Sequence, residues 1–215
     1  TRSILERFPN AATVYCERYG EIFNRKAQNF RLQKKQPALI LARKHKARVL
    51  PTPEQYGIGA VHNYYFSHML NCLYDCRYCF LQGMFQSAHY VLFVNYEDFI
   101  EDIGATLTKH PDEAVHFFSG YDCDSLALDP VTDFISDFMP FFESQPRALL
   151  ELRTKSTQIR GLLKSPPIEN RVVAVRVTPD RIAHTLEHNQ PAVGWTTSAL
   201  FNLHRPIQRR LHRLA

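Results

Sequence analysis

The chain has 215 residues, of which 45% are hydrophobic, and a formal net charge of +5; that suits one domain with a real core. No apolar run approaches the ~20 residues of a membrane-spanning helix, and Thr1–Asn10 lacks the apolar centre of a secretory leader. Five cysteines, three of them clustered, argue against a disulfide framework and for a reducing, cytoplasmic setting.

In chain order, Thr1–Gly20 reads as a short helix or two, with Cys16 as a core or partly buried thiol. The next segment is basic. From Ile22 to Pro53 there is no acid, while Arg25, Lys26, Arg31, Lys34, Lys35, Arg43, Lys44, Lys46 and Arg48 fall inside it. Glu54 to Glu187 holds 18 acids against 10 Lys and Arg, and the chain from His188 onward has no acid. A basic arm over 25–48 on an acidic body can track a phosphate backbone, which makes nucleic acid a candidate partner. The plainer reading is a solvated surface. Within the arm, Ala38–Ala42 is apolar enough for a strand, and Pro51-Thr52-Pro53 punctuates its end.

Ile58–Leu70, with Val61, Tyr64, Tyr65 and Phe66, predicts the first barrel strand. Tyr90–Asn95 predicts another strand, and Asn95 caps a helix running to about Lys109. Ala114–Ser119 reads as a buried strand followed by the loop Ser119–Asp124. Pro130 starts a helix with Val131, Phe134, Ile135, Phe138 and Phe142 at core spacing, limited near its end by Pro140. Ala148–Leu152 is a strand leading to Arg153-Thr154-Lys155. A short helix covers about Thr157–Leu163, Ser165-Pro166-Pro167 is a turn, and Arg171–Val177 is a further strand. Strands alternating with helices predict an α/β fold with a mainly parallel sheet. There is no internal repeat.

The chemistry gathers at Asn71–Leu81, where Cys72, Cys76 and Cys79 stand at C-x3-C-x2-C spacing with no fourth cysteine near. Thiolates are soft ligands suited to iron–sulfur clusters and zinc. Most cubane clusters have four cysteine ligands, so three in one loop leave one iron open to a substrate or cofactor. The loop directly follows a predicted strand, where a β/α barrel keeps its chemistry. Two plainer readings stand beside this one. A histidine, with His62, His68 and His89 nearest, completes a zinc site, or the cysteines are small buried hydrophobes.

The spacing and the aromatics Tyr78 and Phe80 are similar to those of the radical S-adenosylmethionine enzymes. From about Phe30 to Gly194 the order of elements resembles the spore photoproduct lyase-like branch. It has a basic segment, the cysteine loop, a YVLFVN strand opening a helix, an F-x-S-x-x-x-x-D loop, a strand ending in Thr-Lys and a strand ending in V-x-V-x-P.

The resemblance implies a [4Fe-4S] cluster on Cys72, Cys76 and Cys79. Its open iron takes the amino and carboxylate groups of S-adenosylmethionine, and one electron then yields a 5′-deoxyadenosyl radical that abstracts hydrogen. It further implies an external electron donor such as flavodoxin or ferredoxin, and a nucleic-acid base or lesion as substrate. Tyr78 matches a cofactor-pocket aromatic, and Lys155 a lysine contacting the cofactor. Ser119 lies in the cofactor loop, Cys123 falls where the family has a serine touching the cofactor, and Arg176 where it has another polar residue. The family's hydrogen-donating cysteine falls at Tyr121 and its partner tyrosine at Phe80, which leaves Cys123 as a substitute donor. A displaced thiol and a missing hydroxyl imply inefficient spore photoproduct cleavage. From Trp195 on, the pattern of longer members is lost, so the chain is expected to be a truncated member.

The expected organisation is a basic N-terminal extension over 1–57, an incomplete (β/α) radical-enzyme barrel over 58–194 and a basic tail over 195–215. The expected function is radical lyase-type chemistry of a DNA-repair kind. The alternatives are a zinc-binding nucleic-acid module and a truncated cluster-binding protein without turnover.

Overall fold

The computed structural model of the chain describes residues 2–26, 28–57, 59–189 and 191–214, with residue 188 and residues 204–214 by backbone alone. Thr1 and Ile58, where two expected segments begin, lie outside the described residues, as do the side chains of the expected basic tail from residue 204 on. The elements run α1 (Arg2–Arg7), α2 (Phe30–Lys35), β1 (Leu39–Ala42), β2 (Val49–Pro51), β3 (His62–Phe66), β4 (Met69–Leu70), β5 (Asp75–Cys76), α3 (Leu81–Met84), β6 (Tyr90–Phe93) and α4 (Tyr96–Thr108). They continue β7 (Val115–Ser119), α5 (Asp129–Thr132), α6 (Phe134–Ser144), β8 (Ala148–Thr154), α7 (Arg160–Lys164), β9 (Arg171–Val175), α8 (Asp180–Leu186), β10 (Glu187–His188) and α9 (Val193–Leu214).

Four strands, β3, β7, β8 and β9, pair in parallel in chain order, and β2 closes one edge antiparallel to β3. This is the α/β, mainly parallel architecture of an incomplete barrel. Every residue of β7 is buried, as a parallel strand covered on both faces requires. One face of the sheet meets α4 and α6 in an aromatic core. Phe66 stacks on Phe138 at 5.3 Å and Phe134 packs against Phe138 at 4.6 Å. A smaller sheet, β1-β6-β4, adjoins it.

The expected first barrel strand is two strands. After β3 the chain steps through Ser67-His68 into β4, which pairs with β6 in the smaller sheet. The basic segment is also not a loose arm. Its β1 pairs in parallel with β6, and Lys34, Arg43 and Arg48 form ion pairs with Asp75, Asp98 and Asp102. Asn95 stands at the start of α4 but does not cap it through its side chain. Its Oδ1 instead accepts from Lys44 N at 2.9 Å, tying the basic segment to the helix.

The helix expected from Pro130 is broken into α5 and α6 at Asp133, which has φ 52°. Asp129 Oδ1 accepts the Ile135 amide at 2.9 Å and so satisfies the new helix start. Pro140 does not end α6, which runs on to Ser144 with Phe142 fully buried; packing there outweighs the missing amide. Cys16 is exposed, not a core thiol.

His68 sits in the core, its ring stacked on Phe134 with centroids 4.0 Å apart. Burial lowers its pKa from 6.5 to about 3. As pH falls from 6.5 towards 3, the unfolded chain takes up a proton that the folded chain refuses. Stability from this group is therefore full above about pH 6.5 and declines below it, by at most ~1.4 kcal/mol per pH unit. Urea unfolding between pH 7 and pH 4 should show this slope reduced in His68→Phe. Equal slopes in the two proteins would remove His68 from the acid response.

Candidate functional site

The cysteine loop leaves β4 at Asn71, which adopts φ 74°. Asparagine tolerates this left-handed turn because its side chain bonds locally. Asn71 Oδ1 accepts from Cys72 N at 3.0 Å, and Nδ2 donates to the carbonyls of Ser87 (2.8 Å) and His89 (3.0 Å). The middle of the loop is β5, held antiparallel to β10 with Cys76 opposite Glu187. Arg77 N donates to Leu186 O at 2.8 Å, and Cys79 N to Cys76 O at 3.0 Å. Cys76 is thereby buried, while Cys72 and Cys79 are half-buried.

The loop after β7 lies against this one. Gly120 has φ +80°, and a Cβ there would stand 2.5 Å from Ser125 Oγ and 3.0 Å from Ser125 N, so only glycine fits. Asp124 is buried and gathers four donors. Oδ1 accepts from Leu126 N (3.0 Å), Ala127 N (2.9 Å) and Thr154 Oγ1 (2.7 Å), and Oδ2 from Lys155 N (2.7 Å). This knot joins the β7 loop to the end of β8 and sets Cys123 beside Cys72. Burial pushes the Cys72 thiol up to about 12 and the Cys123 thiol well above its ordinary value, with neighbouring acidic groups adding to both. Bare, these groups stay S–H; a bound metal is what would deprotonate cysteines here.

Lys155 follows β8 and is 6% exposed. Its Nζ donates to Tyr78 OH at 2.6 Å and pairs with the Glu187 carboxylate, which also accepts from Tyr78 OH and, at 2.8 Å, from Thr178 Oγ1. It lies within hydrogen-bonding reach of the Cys76 thiol as well. Arg176 is exposed just beyond β9; its amide donates to Thr154 O at 2.9 Å, and its charge adds to the downward pull that burial exerts on the Lys155 pKa.

Beyond the cysteines opens a cavity of about 140 Å³ lined by Tyr56, Phe118, Ser119, Tyr121 and Arg153. Tyr121 stacks on Tyr65 at 4.4 Å, meets Tyr56 edge-on at 6.4 Å, and touches Phe80 of the cysteine loop at 5.7 Å. The Arg153 guanidinium lies 5.6 Å over Phe118 and is anchored by the buried Glu151.

Cys72, Cys76, Cys79, Tyr78, Cys123 and Lys155 thus share one site, at the end of the sheet where β7 and β8 finish. Tyr121 and Ser119 line the adjoining cavity. Of the histidines considered as zinc ligands, His68 is in the core, His62 is at the opposite end of β3, and His89 Nδ1 is taken by the Ala38 amide at 3.0 Å. The sequence reading missed Glu187, Arg153 and the role of Asp124. Only Asp124 carried a signal, as the last residue of the F-x-S-x-x-x-x-D loop.

An α/β parallel-strand scaffold with three loop cysteines at the strand ends defines the class of protein. The chain belongs to the spore photoproduct lyase family, whose model matches residues 60–193. Among solved structures, a mutant spore photoproduct lyase with bound AdoMet and dinucleoside spore photoproduct is similar at TM-score 0.68 and 15% identity. A spore photoproduct lyase complexed with dinucleoside spore photoproduct matches with the same figures. Both cover 77% of this chain and 47% of their own, so the chain spans about half the length of the structures it matches. At this identity the likeness establishes the fold. No curated protein matches the chain. Among the described residues no helix is long and apolar enough to cross a membrane.

Removing Glu187 leaves the Lys155 ammonium buried without its carboxylate. Breaking a buried pair in this way costs about 3–5 kcal/mol, whereas replacing both partners by apolar groups costs far less. Urea unfolding should find Glu187→Leu much less stable than Glu187→Leu with Lys155→Met. A double variant as unstable as the single one would mean that the pair does not organise the site.

Proposed function

We propose that the chain uses Cys72, Cys76 and Cys79 to hold a [4Fe-4S] cluster with an open iron for S-adenosylmethionine, and that the substrate is a nucleic-acid base or lesion. The observation that carries this reading is the convergence of three loop sulfurs and the Lys155 ammonium at one end of the sheet. The residues present fit the group: soft donors from one short loop, with a cation for a carboxylate beside them. When bound, the cluster and cofactor would supply one-electron chemistry that ends in hydrogen abstraction from carbon.

This chain's own residues then have separable tasks. Lys155 receives the cofactor carboxylate, and Glu187 holds Lys155 in place. Tyr78 orients Lys155 through its hydroxyl. Ser119 and Arg176 contribute polar contacts at the strand ends. Tyr56 and Tyr121 offer rings on which a base can stack, and Arg153 a cation above the cavity. Cys123, kept as S–H by burial, can return a hydrogen atom, which a thiolate cannot. Tyr121 standing in the donor position and Phe80 lacking a hydroxyl favour slow or uncoupled spore photoproduct cleavage, or a different lesion.

A zinc module is favoured less. One zinc ion at ~2.3 Å from each thiolate sulfur holds those sulfurs ~3.8 Å apart. Among the described residues, the sole trio of His, Cys, Asp or Glu donor atoms within 4.8 Å of one another is His62, His110 and Glu113. The three cysteine sulfurs do not form such a trio.

Anaerobic reconstitution should give a brown protein with iron and sulfide in equal amounts, and Cys76→Ala should lose most of both. Reduced with S-adenosylmethionine, it should release 5′-deoxyadenosine, and Lys155→Ala should weaken cofactor binding by about one to two decades. Stoichiometric zinc without sulfide would overturn the reading; a cluster without 5′-deoxyadenosine would leave a cluster-binding protein without turnover.

The exposed cations Arg25, Lys26, Arg31, Lys35 and Lys46 carry the proposed backbone contact. Affinity for single-stranded DNA should fall steeply with salt, and neutralising Lys35 and Lys46 should flatten that slope by roughly one unit per contact. A slope unchanged in the double variant would make this segment an ordinary solvated surface.

A further inference from the structure

The end of the sheet opposite the cysteine loop carries a second set of ligating side chains. His62 opens β3, His110 follows α4, and Glu113 lies just before β7. One donor atom from each lies within 4.8 Å of the other two. His62 Nε2 meets the Glu113 carboxylate, and the His62 and His110 rings stack with centroids 3.6 Å apart and planes inclined by 24°.

The surroundings are those of a held site. Tyr64 OH lies 2.9 Å from His110 Nε2. An outer hydrogen-bond partner of this kind is the usual way in which a metal-bound imidazole is held in orientation. Arg147 Nη1 donates to the carbonyls of His110 (2.5 Å) and Glu113 (3.1 Å), clamping the turn that carries two of the three donors. Glu113 is half exposed, which leaves an entry path and room for water ligands.

We propose that His62, His110 and Glu113 bind one divalent metal ion of the zinc type. Two imidazoles and a carboxylate with open positions suit such an ion. The site is separate from the cysteines. His62 opens β3, whereas the chain leaves the other end of that strand, roughly 13 Å along it, on its way to the cysteine loop, so this inference does not rest on the reading of the cysteine loop. The bound ion would fasten the start of β3 to the segment between α4 and β7. It acts as a structural staple, stabilising the folded chain according to its free concentration.

The test is zinc analysis of the full chain, equilibrated with excess zinc chloride, freed of unbound metal and assayed for iron in parallel. One equivalent of zinc should remain in the wild type and in Cys76→Ala. His110→Ala and Glu113→Gln should bind it at least about tenfold more weakly with iron unchanged. Glu113→Gln, at a half-exposed position, keeps the test open if His110→Ala does not fold. The proposal is overturned if no zinc is retained, if Glu113→Gln retains as much as the wild type, or if the zinc is lost with Cys76→Ala. Any of those leaves an ordinary His62–Glu113 ion pair.

Discussion

One buried carboxylate organises this end of the molecule. Burial raises the Asp124 carboxyl above its ordinary pKa, and its four donors pull the other way and offset part of that cost. The donors come from two places, the amides of its own loop and the hydroxyl and amide at the end of β8. The shape of the β7 loop and the pairing of β7 with β8 therefore cannot be changed independently. Cys123 sits one residue before this knot, and Lys155 contributes one of its donors. The relative position of a thiol and an ammonium is set by an interaction that neither side chain makes.

A second constraint closes the site from the far end of the sequence. β10 returns to pair with β5 inside the cysteine loop, and Glu187 reaches Tyr78 across 109 residues of chain. Buried charge pairs contribute little net stability, but they are intolerant of losing one member. Such a pair is better suited to fixing geometry than to adding stability. Here it orients Lys155 beside Cys76.

Much of the fold was legible because its signals are local. β7, β8 and β9 are short apolar runs, and Phe134, Ile135, Phe138 and Phe142 keep helical spacing. The two misplaced element boundaries fall where a break carries no glycine or proline. Ser67-His68 passes the chain from one sheet to another within an apolar, aromatic stretch. Asp133 turns left-handed while the helical periodicity runs straight through it, because Asp129 stabilises the restart from six residues away. At the site, the cysteines announced themselves by spacing. Glu187 did not, since its position depends on a two-residue strand paired across about half of the chain. Arg153 reads locally as the end of a strand, and only the sheet turns it towards the cavity with Glu151 behind it.

The central claim is that three cysteines hold a cluster whose remaining iron is left for a cofactor. Mössbauer spectroscopy of the iron-57-reconstituted protein, with and without S-adenosylmethionine, tests it most directly. The account predicts one iron site that changes its parameters when the cofactor is added, while the cysteine-bound irons keep theirs. A cubane cluster in which no iron responds to the cofactor, or no cluster signal after reconstitution, would contradict it.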